Sequence, residues 1–283
     1  FAYPLEAGAE FIAPEVILSY TNKGLSRLSK QYHHCIMNHI CQGKYVHANR
    51  PVLINSWEAA YFDFTGDTIV ELAKEAKALG IDMVVMDDGW FGKRNDDNSS
   101  LGDWYVNEEK LGGTLTKLIE RVNAEGVKFG IWIEPEMTNT KSELYEKHPD
   151  WVIKAPKRDA VVGRGGTQLV LDLGNPKVQD FVFGIVDNLM TKYPDLAYIK
   201  WDANMPIMNH GSQYLPMNNQ SHLYIAYHRG FENVCKRIRA KYPDLIIQAC
   251  ASGGGRANWG VLPWFDEFWT SDNTDALQRI YMQ

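Results

Sequence analysis

The sequence predicts an α/β protein built on a (β/α)8 barrel of the TIM type. Three observations predict it. From about residue 51 onward, short continuously apolar runs alternate with amphipathic helical stretches. The segments Lys192-Tyr193-Pro194-Asp195-Leu196 and Lys241-Tyr242-Pro243-Asp244-Leu245 echo one another, each closing a helix and feeding an apolar run. Each run is followed by polar or acidic residues. Runs that are apolar throughout suit parallel sheets covered on both faces, and repeated βα units give a doubly wound sheet or a barrel. Chemistry at the ends of many strands favours the barrel, because a doubly wound sheet gathers its ligands at one switch point.

Residues 1–18, with Phe1, Tyr3 and Phe11 among Pro4 and Pro14, read as the tail of a strand-rich region. Residues 19–50 read as a linker with helical character over 24–41, and residues 51–283 as the barrel. The predicted strands are Val52–Asn55, Met83–Met86, Lys128–Ile133, Ala197–Trp201, Leu245–Ala249 and Glu267–Thr270. A helix with Ile69, Val70, Leu72, Ala73, Ala76 and Leu79 on one face lies between the first two and stops at Gly80. The next carries Leu115, Leu118, Ile119 and Val122 and ends near Gly126; a third opens at Pro176 and closes before Pro194; a fourth spans about 221–242. Six strands leave the barrel incomplete at its C-terminus, since closure needs two more.

Composition narrows the function classes. With 283 residues, 45% apolar and 23% charged, the chain is not disordered, collagenous or a coiled coil. Its net charge of −6 gives no general basic field for nucleic acid. No apolar run reaches the length of about 18 residues that a membrane helix needs. Cys35, Cys41, Cys235 and Cys250 form no C-x-x-C pair and are too few for a disulfide framework. Aromatics reach 12%, with 9 Trp, and several stand beside acids, as in Asp88-Gly89-Trp90 and Trp201-Asp202. Core packing accounts for most tryptophans, yet rings beside carboxylates also suit sugars, whose apolar faces stack and whose hydroxyls need acceptors.

The strand ends carry the chemistry. Asp87 and Asp88 are adjacent acids pointing to different sides, suited either to sugar hydroxyls or to loop amides. In Lys200-Trp201-Asp202-Ala203-Asn204, the alternate residues Lys200, Asp202 and Asn204 share a face. A nearby ammonium would keep Asp202 ionised, as a carboxylate nucleophile requires, although an ordinary ion pair fits too. Asp272, among aromatics, offers a second acid able to donate a proton near neutrality, while Asp275 reads as a helix-start residue. Cys250-Ala251-Ser252-Gly253-Gly254-Gly255-Arg256 lacks the Gly-Lys-Ser/Thr of a phosphate loop, so its glycines suit close approach of a ligand. His33, His34 and His39 precede every strand end and read as surface or helix-face residues rather than metal ligands. Glu134 and Glu136 suit either a metal or an orienting role, and the latter is favoured.

Six blocks together resemble glycoside hydrolase family 36, the microbial α-galactosidases: Asn55-Ser56-Trp57-Glu58-Ala59, Asp87-Asp88-Gly89-Trp90, Gly130-Ile131-Trp132-Ile133-Glu134-Pro135-Glu136-Met137, Lys200-Trp201-Asp202, Cys250 to Arg256, and Trp269-Thr270-Ser271-Asp272. The resemblance implies a retaining hydrolase of terminal α-linked galactose, as in melibiose and raffinose, with a (β/α)8 barrel preceded by a β-sandwich. It implies Asp202 as nucleophile and Asp272 as acid/base. It implies Trp57, Asp87, Asp88, Trp132, Arg164, Lys200, Cys250 and Gly253 as substrate contacts. It implies no cofactor, no metal, no nucleic-acid or membrane partner, and a homo-oligomer for the full-length protein, cytoplasmic or periplasmic or secreted in a bacterium. Alternatives within the chemistry are an α-N-acetylgalactosaminidase and a transglycosylase of the raffinose-synthase type. Outside it stand a metal enzyme using Asp87, Asp88, Glu134 and Glu136, which EDTA would silence, and a sugar-binding module without turnover.

Overall fold

The computed structural model describes residues 3–282. Its strands in chain order are β1 (Leu53–Asn55), β2 (Met83–Met86), β3 (Lys128–Ile133), β4 (Met137–Asn139), β5 (Gln168–Val170), β6 (Leu196–Trp201), β7 (Ile246–Ala249) and β8 (Glu267–Phe268). Six of them form one parallel sheet in the order β1-β2-β3-β6-β7-β8. Spatial order follows chain order without reversal, so the sheet has no switch point and the doubly wound alternative falls. All six correspond to the apolar runs of the sequence. The antiparallel pair β4–β5, with Met137 opposite Val170 and Asn139 opposite Gln168, was not foreseen. Three-residue strands carry too few positions for a period to show.

The helices are α1 (Leu25–Cys35), α2 (Trp57–Ala60), α3 (Gly66–Ala78), α4 (Glu108–Leu111), α5 (Leu115–Ala124), α6 (Glu143–Lys147), α7 (Pro176–Lys192), α8 (Leu223–Lys241) and α9 (Ala276–Met282). Side-chain oxygens cap several: Thr65 opens α3 through a reciprocal bond with Thr68, Thr114 opens α5, and Asn175 opens α7 one residue before Pro176. One expected core position is corrected. Leu79 is 77% exposed, because α3 ends at Ala78 and Leu79 follows as its C-cap, outside the buried stripe. Residues 3–24 hold neither helix nor strand, and His33, His34 and His39 are exposed.

Strand parity divides the core. On the helix side lie Val84, Met86, Phe129, Ile131, Ile199, Trp201, Ile247 and Ala249, packed in the main cluster with the helices. On the other face, Val85, Gly130, Tyr198 and Ile246 stand in register as one layer, with Trp132, Lys200, Gln248 and Glu267 in the layer above. Gly130 makes room for its neighbour, since a Cβ there would stand 2.9 Å from that of Tyr198. Inward side chains in layers are how parallel barrels fill themselves. The upper layer is polar and joins itself: Gln248 Nε2 donates to Glu267 Oε1 at 2.8 Å, and the Tyr198 hydroxyl reaches the same oxygen.

Helix α8 approaches the loop before α7 closely at Gly230, where a Cβ would lie 1.8 Å from the Leu173 carbonyl oxygen. Gly230→Ala is therefore expected to destabilise by about 1–3 kcal/mol or more, despite a helix-propensity gain of about 1 kcal/mol. Urea unfolding measures this, and an unchanged midpoint would mean that α8 moves away at little cost.

Candidate active site

The inner face does not stop where the strands do. Beyond the polar layer, the same parity brings Asp87, Glu134, Asp202 and Cys250 to the C-terminal mouth. Backbone bonds carry the ladder one step further: Asp202 N–H donates to Ile133 O and Cys250 N–H to Trp201 O, both at 2.8 Å, and Trp269 N–H to Ala249 O at 2.9 Å. The chemistry therefore sits on an extension of rigid strands.

Two buried ion pairs hold the adjacent acids. Lys200 Nζ lies 2.8 Å from Asp87 Oδ2, which also accepts from Asn55 Nδ2 at 2.7 Å. Asn55 Oδ1 in turn receives the Trp57 N–H at 2.8 Å, so the position of Trp57 is tied to Asp87. Asp88 takes a two-point fork from Arg94, Nε to Oδ1 and Nη2 to Oδ2, each 2.7 Å. Arg94 is itself 1% exposed and is fixed by Asn139 Oδ1 and Ser99 O at 3.0 Å. Burial pushes the Asp88 carboxyl above the usual range, against the pull of Arg94. Burial acts against the Lys200 ammonium, but Asp87, with Asp202 nearby, outweighs it and holds its pKa above the ordinary value.

Asp202 is buried and meets no cation directly. Its Oδ2 accepts the Trp132 indole N–H at 3.1 Å and its Oδ1 the Ala203 N–H at 2.9 Å. The expected Lys200–Asp202 pairing is thus corrected: the ammonium contacts Asp87, because the long lysine stem crosses the barrel to the end of β2. Half-buried Asp272, four residues past β8, accepts the Trp269 indole N–H at 2.7 Å. The same indole lies 4.7 Å below the Lys200 ammonium, so Trp269 links Asp272 to the Lys200–Asp87 pair. Burial, then the Asp202 charge, pushes the Cys250 thiol up, so it is neutral near pH 7. Beside this mouth opens a cavity of about 780 Å³, lined in part by Asn204, Ser252, Tyr227, Phe231 and Arg256.

The melibiase family model matches residues 10–283. The chain belongs to the melibiase family. It is 55% identical over its full length to the bifunctional α-galactosidase/sucrose kinase AgaSK of Mediterraneibacter gnavus and 42% identical to α-galactosidase AgaA of Geobacillus stearothermophilus. It spans 29% and 38% of those proteins. Among solved structures, it matches the galactosidase domain of AgaSK over 93% of this chain and 35% of that one, with a TM-score of 0.86 at 53% identity. AgaA matches with a TM-score of 0.88 over 93% of this chain and 36% of that one, at 42% identity. With these relatives, the six-stranded parallel sheet is that of a TIM barrel short of closure.

Within this melibiase barrel, contacts join Trp57, Asp87, Lys200 and Asp272 through Asn55 and Trp269, Asp202 meets Trp132, and Asp88, turned to Arg94, touches the set through its N–H to Asp87. Two sequence-derived positions stand differently. Arg164 lies on the loop before β5 with φ 41° and reaches Asp97 Oδ1 at 3.5 Å, which Arg94 Nη2 also approaches at 3.4 Å. Its one ion pair is thus with Asp97, and among the mouth acids it acts on Glu134 by charge alone. Gly253, at φ 91°, is approached by protein backbone rather than open space: a Cβ would stand 2.8 Å from Thr270 O, and its N–H donates to Cys250 Sγ at 3.4 Å. The four acids of the metal alternative are engaged separately, Asp87 by Lys200, Asp88 by Arg94, Glu136 by Arg256 at 2.6 Å, and Glu134 by a backbone amide.

Sequence reading missed Arg94 and Trp269 as site residues. Arg94 stands in the polar stretch Lys93-Arg94-Asn95-Asp96-Asp97, where nothing separates a buried arginine from a solvated one. Arg94→Leu would leave Asp88 buried without its cation, a change expected to cost about 3–5 kcal/mol. Arg94→Lys keeps a charge but loses the fork, so an intermediate loss is expected. Thermal unfolding of both variants checks the order, and a Leu variant as stable as the parent would show that the pair is not needed.

Proposed function

We propose that this chain is the catalytic barrel of a retaining α-galactosidase that releases terminal α-linked galactose from oligosaccharides such as melibiose and raffinose. The observation that carries the reading is Asp202: a buried carboxylate at a strand end, oriented by two N–H donors, touching no cation, beside two acids locked as acceptors. AgaA supports it. That relative has been solved with stachyose after one aspartate was replaced by alanine, and with raffinose after another, 70 positions further on, was replaced by asparagine. Asp202 and Asp272 are likewise 70 residues apart.

In this reading, an Asp202 oxygen attacks the anomeric carbon while Asp272 gives its proton to the departing glycosidic oxygen. A galactosyl ester on Asp202 and a free aglycone alcohol result. Water then gives a proton to Asp272 and its oxygen to the anomeric carbon, which releases galactose and restores both acids. Asp87 and Asp88 accept hydrogen bonds from galactose hydroxyls, with Lys200 as donor beside them. Trp57 and Trp132 border the sugar, and Arg164, Cys250 and Gly253 complete the pocket. Double displacement requires the Asp202 and Asp272 carboxyls about 5–5.5 Å apart across the bound sugar.

Residues 1–18 belong in this reading to the end of a β-sandwich region and 19–50 to a linker helix. Ile12, Val16, Leu18 and Leu25 are exposed and give such a neighbour an apolar stripe to cover. The full-length protein is read as a homo-oligomer.

The test uses the full-length protein. Asp202→Ala is expected to abolish turnover of every galactoside, and added azide should then give the β-galactosyl azide. Asp272→Ala is expected to lose roughly 10²–10⁴-fold on poor leaving groups, to keep much of its first step on activated aryl galactosides, and to give the α-azide. The α-azide from Asp202→Ala would reverse the roles, and no galactose from raffinose with the unaltered protein would end the proposal.

A further inference from the structure

One buried carboxyl at the mouth has no part in the steps above. Glu134 follows β3 directly and is 1% exposed. Its Oε1 accepts the Asn204 N–H at 2.5 Å and Gln168 Nε2 at 3.0 Å. Asn204 lies two residues beyond Asp202, so Glu134 pins the turn by which the chain leaves the nucleophile. Asn204 Oδ1 in turn accepts the Ser252 N–H and hydroxyl at 2.9 and 3.0 Å, which carries the restraint to the loop after β7. Gln168, on β5, is fully buried, and its carbonyl oxygen Oε1 has no hydrogen-bond partner. A buried acceptor left alone is costly. An ionised Glu134 has only acceptors to offer it, whereas a carboxylic acid has one O–H donor.

We infer that Glu134 is a neutral acid which donates its O–H to the Gln168 carbonyl, accepts the Gln168 and Asn204 N–H groups, and thereby acts as a positioning residue for Asp202. The inference rests on the reading of Asp202 as nucleophile. The charged groups that face Glu134 are Asp202 from the end of β6, Arg94 from the loop after β2 and Arg164 from the loop before β5. Burial, followed by the Asp202 charge, favours the neutral form; the Asn204 amide and the two arginines oppose it, and the pKa is pushed up to about 8. A neutral Glu134 sets no second negative charge beside Asp202, the carboxyl this reading makes the nucleophile.

Glutamine reproduces a neutral acid here, with an N–H for Gln168 Oε1 and a carbonyl for the two amides. In the full-length protein, Glu134→Gln is expected to keep most of kcat/KM at pH 7. Glu134→Ala, which orphans the Asn204 amide, is expected to lose about 10–100-fold. Difference infrared spectra of the unaltered protein should show a protonated-carboxyl C=O band that fades on titration through about pH 8 and is absent from Glu134→Gln. Because the folded pKa lies above the ordinary 4.5, the stability it contributes is complete below that value and lost as pH rises toward about 8. Glu134→Gln should flatten that part of the melting profile. A Glu134→Gln variant as impaired as Glu134→Ala, with no such band in the parent, would overturn the inference. The infrared band reports on Glu134 whatever the substrate, so failure of the functional reading shows separately, as absence of galactose release.

Discussion

Everything at the mouth of this barrel depends on the compensation of buried charge. Parallel strands deliver their last inward residues to a place with little water, and several of those residues are acids. An isolated carboxylate there would take up a proton or unfold the site. Lys200 and Arg94 pair with Asp87 and Asp88, the first reaching over from β6 and the second from six residues further along the loop that carries Asp88 itself. Such pairs add little net stability over an apolar core. What they give is fixed acceptor geometry.

The acids around the pocket consequently fall into three conditions. Asp87, Asp88 and Glu136 are held by cations. Asp202 and Asp272 accept N–H groups instead, Asp202 from Trp132 and Ala203 and Asp272 from Trp269. Glu134 sits where burial and a neighbouring charge both disfavour ionisation. A pair of buried acids free of cations would not remain both buried and charged. Environment thus separates roles among side chains of one chemical type.

Tryptophan connects these conditions. Trp132 donates to Asp202; Trp269 donates to Asp272 while lying under the Lys200 ammonium; Trp201, on the opposite face of β6, donates to Glu136 at 2.8 Å. Glu136, with Arg256 and the Tyr227 hydroxyl at 2.5 Å, stiffens the layer between sheet and helices. Each indole places one polar atom at the end of a large apolar body, so it orients an acid while packing the core. These pairs are not the Trp–carboxylate neighbours of the sequence, since Trp201 bonds Glu136 rather than Asp202 and Trp90 bonds the Trp132 carbonyl.

The sequence by itself determined the parallel sheet, its six strands and most helix limits. Continuous apolar runs and the 3.6-residue stripe are local consequences of burial on two faces or one. It also determined which acids reach the mouth, because parity along a strand is fixed once the strand is known. Only tertiary structure decided the partners. That Lys200 serves Asp87 and not Asp202, that Arg94 is buried, and that Gln168 lies against Glu134 depend on contacts across 113, 6 and 34 residues of chain. No period or spacing encodes such contacts. A lysine stem spans several ångströms, and its ammonium settles where buried negative charge is least compensated, which is a property of the assembled barrel.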